Sequence, residues 1–137
     1  PQEALAAFER VRRVDPSNAM ALVNEGVVHL MNDDRPRAQR VFEEALALDP
    51  NLARAHNSLG VVAAQEGRTE AAVAHWKEAV RIDPHDYQTL YNLGTLLLRL
   101  RRPAEARPFL ESYVAEAPRG TEDRDVARVH SLLAGLR

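Results

Sequence analysis

The chain has 137 residues, of which 45% are hydrophobic, enough to bury the core of one domain and to exclude a disordered tail. Aromatic residues make up only 5%, a balance that favours helix over sheet. A formal net charge of −2 argues against nucleic-acid binding, the absence of cysteine excludes disulfides and thiolate metal sites, and no apolar run approaches the roughly 20 residues that insert across a membrane.

The first predicted element is a helix over residues 1–14, whose Ala4, Phe8 and Val11 form an apolar strip. It stops before Pro16, because proline removes a backbone donor and disfavours helix in the preceding residue. Prolines then recur every 34 residues, at Pro16, Pro50, Pro84 and Pro118. Residues 1–18 match only the second helix of such a repeat. We therefore expect a piece of a longer array, whose compartment the sequence leaves unknown.

Residues 19–52 form the next unit, predicted as a helix, a short turn and a second helix. Three kinds of residue recur at this 34-residue spacing. They are the glycines Gly26, Gly60 and Gly94, the alanines Ala4, Ala38, Ala72 and Ala106, and the bulky apolar residues Phe8, Phe42, Trp76 and Leu110. A glycine inside a helix costs about 1 kcal/mol relative to alanine. We therefore predict that paired helices cross too closely for a Cβ, with the bulky residue filling the gap between neighbouring units.

Residues 53–86 show the helical spacing most clearly. Apolar stripes lie at Leu59, Val62 and Ala63, then at Ala72, Trp76 and Ala79. Between them, residues 66–69 predict a turn in which Thr69 caps the following helix. Other predicted helix caps are Ser17 or Asn18, Asn51, and Asp86.

Residues 87–120 repeat the unit, and residues 121–137 begin another first helix with Thr121 as its cap. Arg128 occupies the glycine register, which suits a terminal helix that has no partner to approach. The side chains predicted to face the stack are Val126, Val129, Leu133 and Leu136. The chain is thus divided into a lone second helix (1–18), three units (19–52, 53–86 and 87–120) and a C-terminal solvating helix (121–137).

This pattern resembles the tetratricopeptide repeat family, whose 34-residue unit carries Leu-Gly, Ala, a large residue and Pro at set offsets. Leu59-Gly60 and Leu93-Gly94 match directly, whereas Glu25-Gly26 departs at the leucine, and His56 and Leu90 stand where the family usually has tryptophan. The resemblance covers nearly the whole chain. It implies an all-α, right-handed superhelical solenoid of antiparallel helix pairs, with about eight helices.

In this family the first helix of each repeat lines a concave groove that binds protein or peptide partners. The residues that map there, called the groove set below, are Val23, Asn24, Val27, Met31, Arg54, Asn57, Ser58, Val61, Gln65, Gln88, Tyr91, Asn92, Thr95 and Arg99. Asn24 and Asn92 share one repeat position at which the family often holds a ligand backbone, and an amide both donates and accepts. The alternative is that these amides bond solvent or a neighbouring helix.

Some relatives grip the acidic tails of chaperones with a carboxylate clamp of lysine, arginine and asparagine. The matching positions here hold Val23, Val27, Ser58, Gln88 and Asn92. No basic residue is among them, so we predict no binding of chaperone tails. The apolar patch of Val23, Val27, Leu30 and Met31 could take a hydrophobic segment or pack against upstream repeats.

The sequence shows no catalytic motif, so this fragment is predicted to be a non-enzyme without catalytic residues, cofactor or metal. The five histidines lack metal-ligand spacing, and no phosphate loop or nucleophile elbow occurs. The leading prediction is a protein-interaction scaffold. One alternative is an accessory domain of a larger bacterial enzyme, because residues 102–137 are similar to repeats fused to sulfatase-like hydrolases. Another is self-association as a homo-oligomer through the helix at 1–14.

Overall fold

A computed structural model describes residues 2–4, 18–117 and 123–136. Apart from residues 2–4, which are helical, the predicted helix at 1–14 lies outside the described residues, and so do the proposed caps Ser17 and Thr121. Seven helices span the described parts: α1 Ala19–Met31, α2 Arg35–Leu48, α3 Ala53–Gln65, α4 Thr69–Ile82, α5 Tyr87–Arg99, α6 Pro103–Glu116 and α7 Asp123–Gly135. The described residues contain no strand, as predicted. None of these helices combines the length and the apolar character needed to span a bilayer.

The chain divides into two compact units, residues 1–82 and residues 83–137. In the first unit, α1 packs on α2 and α3 packs on α4, around a core shared by α1, α2 and α3. Its fully buried members include Leu22, Phe42, Ala45 and Val62. In the second unit, α5 packs on α6, and α7 packs on α6.

Each glycine of the 34-residue register lies against the bulky residue of its own helix pair. A Cβ on Gly26 would meet the Phe42 ring, one on Gly60 the Trp76 indole, and one on Gly94 the Leu110 side chain. The predicted close approach is therefore confirmed. The predicted role of the bulky residue was wrong in part, because it covers the glycine within its own unit instead of only filling the gap between units.

The Asp-Pro pairs end the second helices in the way the sequence predicts. Helices α2 and α4 stop at Leu48 and Ile82, one residue before the aspartate. Asp49 and Asp83 then accept, through a carboxylate oxygen, the backbone N–H two residues onward, at 3.1 and 3.2 Å. This side-chain turn replaces hydrogen bonds that proline prevents the helix from making.

The predicted helix caps divide into correct and incorrect ones. Asn18 and Asp86 cap α1 and α5, since their side-chain oxygens accept backbone N–H groups of the first turn. Asn51 does not cap α3, because Leu52 holds the N-cap position and no side chain caps this helix. Thr69 is itself the first residue of α4 and not its cap.

Each turn between the two helices of a pair contains one residue in the left-handed backbone conformation, which the residue types alone do not reveal. Backbone φ is +58° at Asp33, +76° at Gly67 and +59° at Arg101, three positions 34 residues apart. In each turn the next backbone N–H returns to a carbonyl near the end of the preceding helix, at 2.8–2.9 Å. This hydrogen bond closes the helix, but only glycine adopts the required conformation without strain.

We expect Arg101→Gly to raise the free energy of unfolding of the second unit by about 0.5–1 kcal/mol, because the relief of left-handed strain exceeds the entropy that glycine adds to the unfolded chain. Asp33→Gly should have a smaller effect, since aspartate tolerates this conformation better. Urea unfolding followed by circular dichroism measures both variants. A loss of stability in Arg101→Gly would contradict the argument.

Candidate functional site

In the first unit, helices α1 and α3 place most of the groove set at the surface. Met31, Arg54 and Gln65 are exposed, while Asn24, Val27, Asn57, Ser58 and Val61 are half-buried. These positions escape the core because the opposite side of each helix packs against α2 or α4. The first unit thus presents three amides, a hydroxyl and a guanidinium among apolar side chains.

Val23 was wrongly placed in the groove set. Its side chain is 0% exposed and belongs to the core cluster that contains Phe42 and Val62. Val27 and Leu30 also pack against this cluster, although each keeps part of its surface open. Of the predicted apolar patch, Met31 alone is widely exposed, at 70%. The patch is therefore mostly core, because the apolar side of α1 faces both α2 and α3.

Two helices of the first unit are linked by groove-set side chains. The Arg54 guanidinium donates to the amide oxygen of Asn24 at 3.3 Å. In the described part of the chain, the side chains of Asn57 and Ser58 form no hydrogen bond with protein. The backbone carbonyl of Asn57 accepts from the Trp76 indole at 3.1 Å, which fixes this turn of α3. Asn57 and Ser58, together with exposed Gln65, therefore remain available to a ligand.

In the second unit, α5 carries the remaining groove-set residues. Gln88 and Arg99 are exposed, while Tyr91, Asn92 and Thr95 are half-buried. The Thr95 hydroxyl donates to the Tyr91 carbonyl of its own helix at 2.7 Å, so its proton is already used. The side chains of Gln88 and Asn92 have no hydrogen-bond partner among the described residues.

Arg128 on α7 is a neighbour of this surface that the sequence did not assign to it. Its guanidinium lies 3.5 Å from the Tyr91 hydroxyl, to which it donates a long hydrogen bond. In the sequence, arginine at this glycine position predicts only a helix without a partner to approach. The signal that could have assigned Arg128 to this surface is a charged residue at a repeat position where the three units have glycine.

In the first unit, the rings of His56 and His75 lie close to each other. Their centroids are 6.1 Å apart, and Nε2 of His56 is 3.2 Å from the Pro50 carbonyl. Because a carbonyl only accepts, Nε2 donates this hydrogen bond, and Nδ1 is buried without a partner among the described residues. Burial, followed by the proximity of His56 and Arg68, lowers the pKa of His75. Across the described residues, no group of three or more acidic or histidine side chains is arranged to hold a metal ion.

In the second unit, an ion pair joins the segment before α5 to the last residue of α6. Nδ1 of His85 lies 2.9 Å from a carboxylate oxygen of Glu116. The hydrogen bond that Nδ1–H donates to the Glu116 carboxylate, and then the negative charge of Glu116, raise the pKa of His85 above its ordinary value. A group with a raised folded-state pKa stabilises the fold fully below its unfolded pKa, and this stabilisation disappears as pH rises through the folded pKa.

We therefore expect Glu116→Gln to lower the pKa of His85, as measured by an NMR titration of its imidazole signals. The variant should also lower the melting temperature at about pH 5.5, where the histidine is charged, and leave it unchanged at about pH 8.5, where it is neutral. Glu111→Gln, an exposed change on the same helix, is the control. An equal loss of stability at both pH values would contradict the ion pair.

Comparison with known proteins gives a consistent result. One family model described as tetratricopeptide repeat matches residues 63–136, more than half of the chain, and a second with the same description matches residues 1–34 and 32–87. No curated protein matches the sequence.

Solved structures share the fold at low sequence identity. YrrB, described as a TPR protein with an unusual peptide-binding site, is 24% identical over 97% of this chain and 71% of its own, with a TM-score of 0.83. MamA is 19% identical over 97% of this chain and 78% of its own, with a TM-score of 0.76. A MamA fragment from Desulfovibrio magneticus RS-1 is 24% identical over 89% and 68%, with a TM-score of 0.71. The predicted all-α repeat fold is confirmed.

Proposed function

The chain belongs to the tetratricopeptide repeat family, whose members are protein-interaction scaffolds, and on this premise we propose that its ligand is an extended peptide. Within each unit, the amides on the first helix of a pair hold the peptide. In the first unit these are half-buried Asn57 beside Ser58 on α3, and in the second unit they are exposed Gln88 and half-buried Asn92 on α5. We also propose 19–52, 53–86 and 87–120 as the repeat units and 121–137 as the closing helix. We assign no catalytic role to this chain.

The observation that supports the proposal is that these amide side chains have no hydrogen-bond partner among the described residues. Asparagine is a mediocre helix former, costing about 0.6 kcal/mol relative to alanine, so an asparagine in mid-helix with no partner among the described residues has no stabilising role to explain it. A peptide backbone offers alternating donors and acceptors, and an amide side chain matches both. The fold shared with YrrB supports the proposal, because that protein is described with a peptide-binding site.

The groove set is thereby narrowed. The amide oxygen of Asn24 already accepts a hydrogen bond from Arg54. In the first unit we therefore propose Asn57 as a ligand contact in preference to Asn24. The two alternatives, an accessory domain of a larger bacterial enzyme and a self-associating module, stay predictions. Light scattering over a range of concentrations tests self-association.

Selection from a random peptide library, followed by fluorescence anisotropy with the selected peptide, tests the proposal. We expect Asn57→Ala to weaken a peptide bound to the first unit, and Asn92→Ala one bound to the second unit, each up to about tenfold, the value of one lost hydrogen bond. Arg40→Ala and Glu111→Ala change exposed residues on the second helices and should leave binding unchanged. The proposal fails if no peptide is selected, or if both asparagine variants bind as tightly as the original chain.

A further inference from the structure

A cleft of about 380 Å³ opens within the second unit between α5 and α7. Its lining residues are Tyr91, Thr95, Leu98, Arg99, Arg128 and Leu132. The volume falls at the lower end of the roughly 300–1,000 Å³ typical of ligand pockets. The cleft therefore has room for a few side chains of a ligand, and α7 contributes directly to its wall.

Two arginines give the cleft its charge. Arg99 and Arg128 are both exposed, and neither forms an ion pair with a carboxylate in the described part of the chain. By contrast, Arg102 in the same unit is paired with Glu105 at 2.8 Å. Two guanidinium groups around one cleft favour an anion, and the planar fork of each matches a carboxylate.

The remaining walls are apolar and held in place. Leu98 and Leu132 are half-buried and leave apolar surface inside the cleft. The Tyr91 ring packs on Tyr113 with centroids 5.2 Å apart, which fixes the hydroxyl beside Arg128. A site that is held by packing before binding loses less entropy when its ligand arrives.

Helix α7 is anchored to the unit beneath it. Val129, the neighbour of Arg128, is 0% exposed. The Arg107 guanidinium on α6 donates to the carbonyl of Leu136, the residue that follows α7, at 2.5 Å. The helix that carries Arg128 and Leu132 is therefore held through Val129 and through the Leu136 carbonyl, so the cleft wall is not formed by an unsupported helix.

We infer that this cleft binds an acidic side chain of a peptide together with an adjacent bulky apolar side chain. The carboxylate bonds to Arg99 and Arg128, and the apolar side chain covers Leu98 and Leu132. Inorganic anions satisfy the arginines but leave the two leucines exposed, which is why a peptide is favoured. The inference rests on the proposed function in one respect, that the ligand is a peptide. It uses none of the carboxylate-clamp positions, which hold no basic residue.

The test uses the full chain labelled with ¹⁵N and short peptide probes followed by NMR. Acetyl-Leu-Glu-Leu-amide should shift the side-chain signals of Arg99 and Arg128, and acetyl-Leu-Gln-Leu-amide should bind at least about fivefold more weakly, because it lacks the charge. Arg128→Gln and Arg99→Gln should each weaken the glutamate peptide by about fivefold. Arg101→Gln, an exposed arginine that does not line the cleft, is the matched control.

Several outcomes would overturn the inference. Equal binding of the glutamine peptide removes the role of the carboxylate. Equal affinity for sodium acetate or inorganic phosphate reduces the cleft to an adventitious anion site. Unchanged binding in Arg128→Gln, with an unchanged helical spectrum, removes α7 from the site. If these probes fail, the result for a library peptide bound through Asn57 or Asn92 still stands. If the library selection fails, the probe measurements still stand.

Discussion

Replacing Trp76 with alanine is expected to lower the free energy of unfolding by about 3–5 kcal/mol, the usual cost of deleting a large buried aromatic side chain. The indole is 5% exposed and lies over Gly60, so its loss opens a cavity between α3 and α4. It also removes the hydrogen bond that Nε1 donates to the Asn57 carbonyl at 3.1 Å.

Urea unfolding monitored by circular dichroism measures this loss. Trp76→Phe is the matched control, since it keeps most of the ring contacts and loses the indole donor, at a cost of about 1 kcal/mol for the hydrogen bond alone. A loss below about 1 kcal/mol in Trp76→Ala would show that the tryptophan does not hold the helix pair together. It would also remove the packing explanation for the large residue in each repeat.

Gly60→Ala is expected to lower the free energy of unfolding by about 1–3 kcal/mol, although alanine is the better helix former. A Cβ at this position would overlap Nε1 and Cδ1 of the Trp76 indole. The indole has little room to retreat, because it is buried and bonded to Asn57. The steric penalty therefore exceeds the gain of about 1 kcal/mol in helix propensity.

Two further variants separate this clash from a general effect of glycine replacement. Gly135→Ala, where nothing lies within 4 Å of the added Cβ, should be neutral or stabilising. In a Trp76→Ala background, Gly60→Ala should cost much less, giving a favourable coupling in a double-mutant cycle. Equal costs in both backgrounds would contradict the proposed contact.

The Trp76–Gly60 contact separates what the repeat spacing predicts about packing from what it leaves undetermined. The recurrence of Gly26, Gly60 and Gly94 predicted a close helix crossing, and a crossing is what the glycines permit. The sequence did not identify which bulky residue lies over each glycine. Position within a repeat specifies that a large residue is needed, while the direction of its side chain depends on the helix that it faces.

The groove set shows the same division on the functional side. Repeat register correctly placed Asn57, Asn92 and Arg99 at least partly at the surface, because average exposure follows the helix period. It failed at Val23, which is buried because α1 meets both α2 and α3. It also missed Arg128, whose place beside Tyr91 depends on how α7 packs on α6.

The amino-acid sequence by itself determined the helix pairs, their 34-residue period, the Asp-Pro ends of the second helices and the family. These features are local: they follow from hydrophobic spacing, from proline chemistry and from the absence of a Cβ. Only the tertiary structure decided which amides remain without partners and which arginines meet across one cleft. Those properties depend on distances between side chains on different helices, which the order of residues along one helix does not specify.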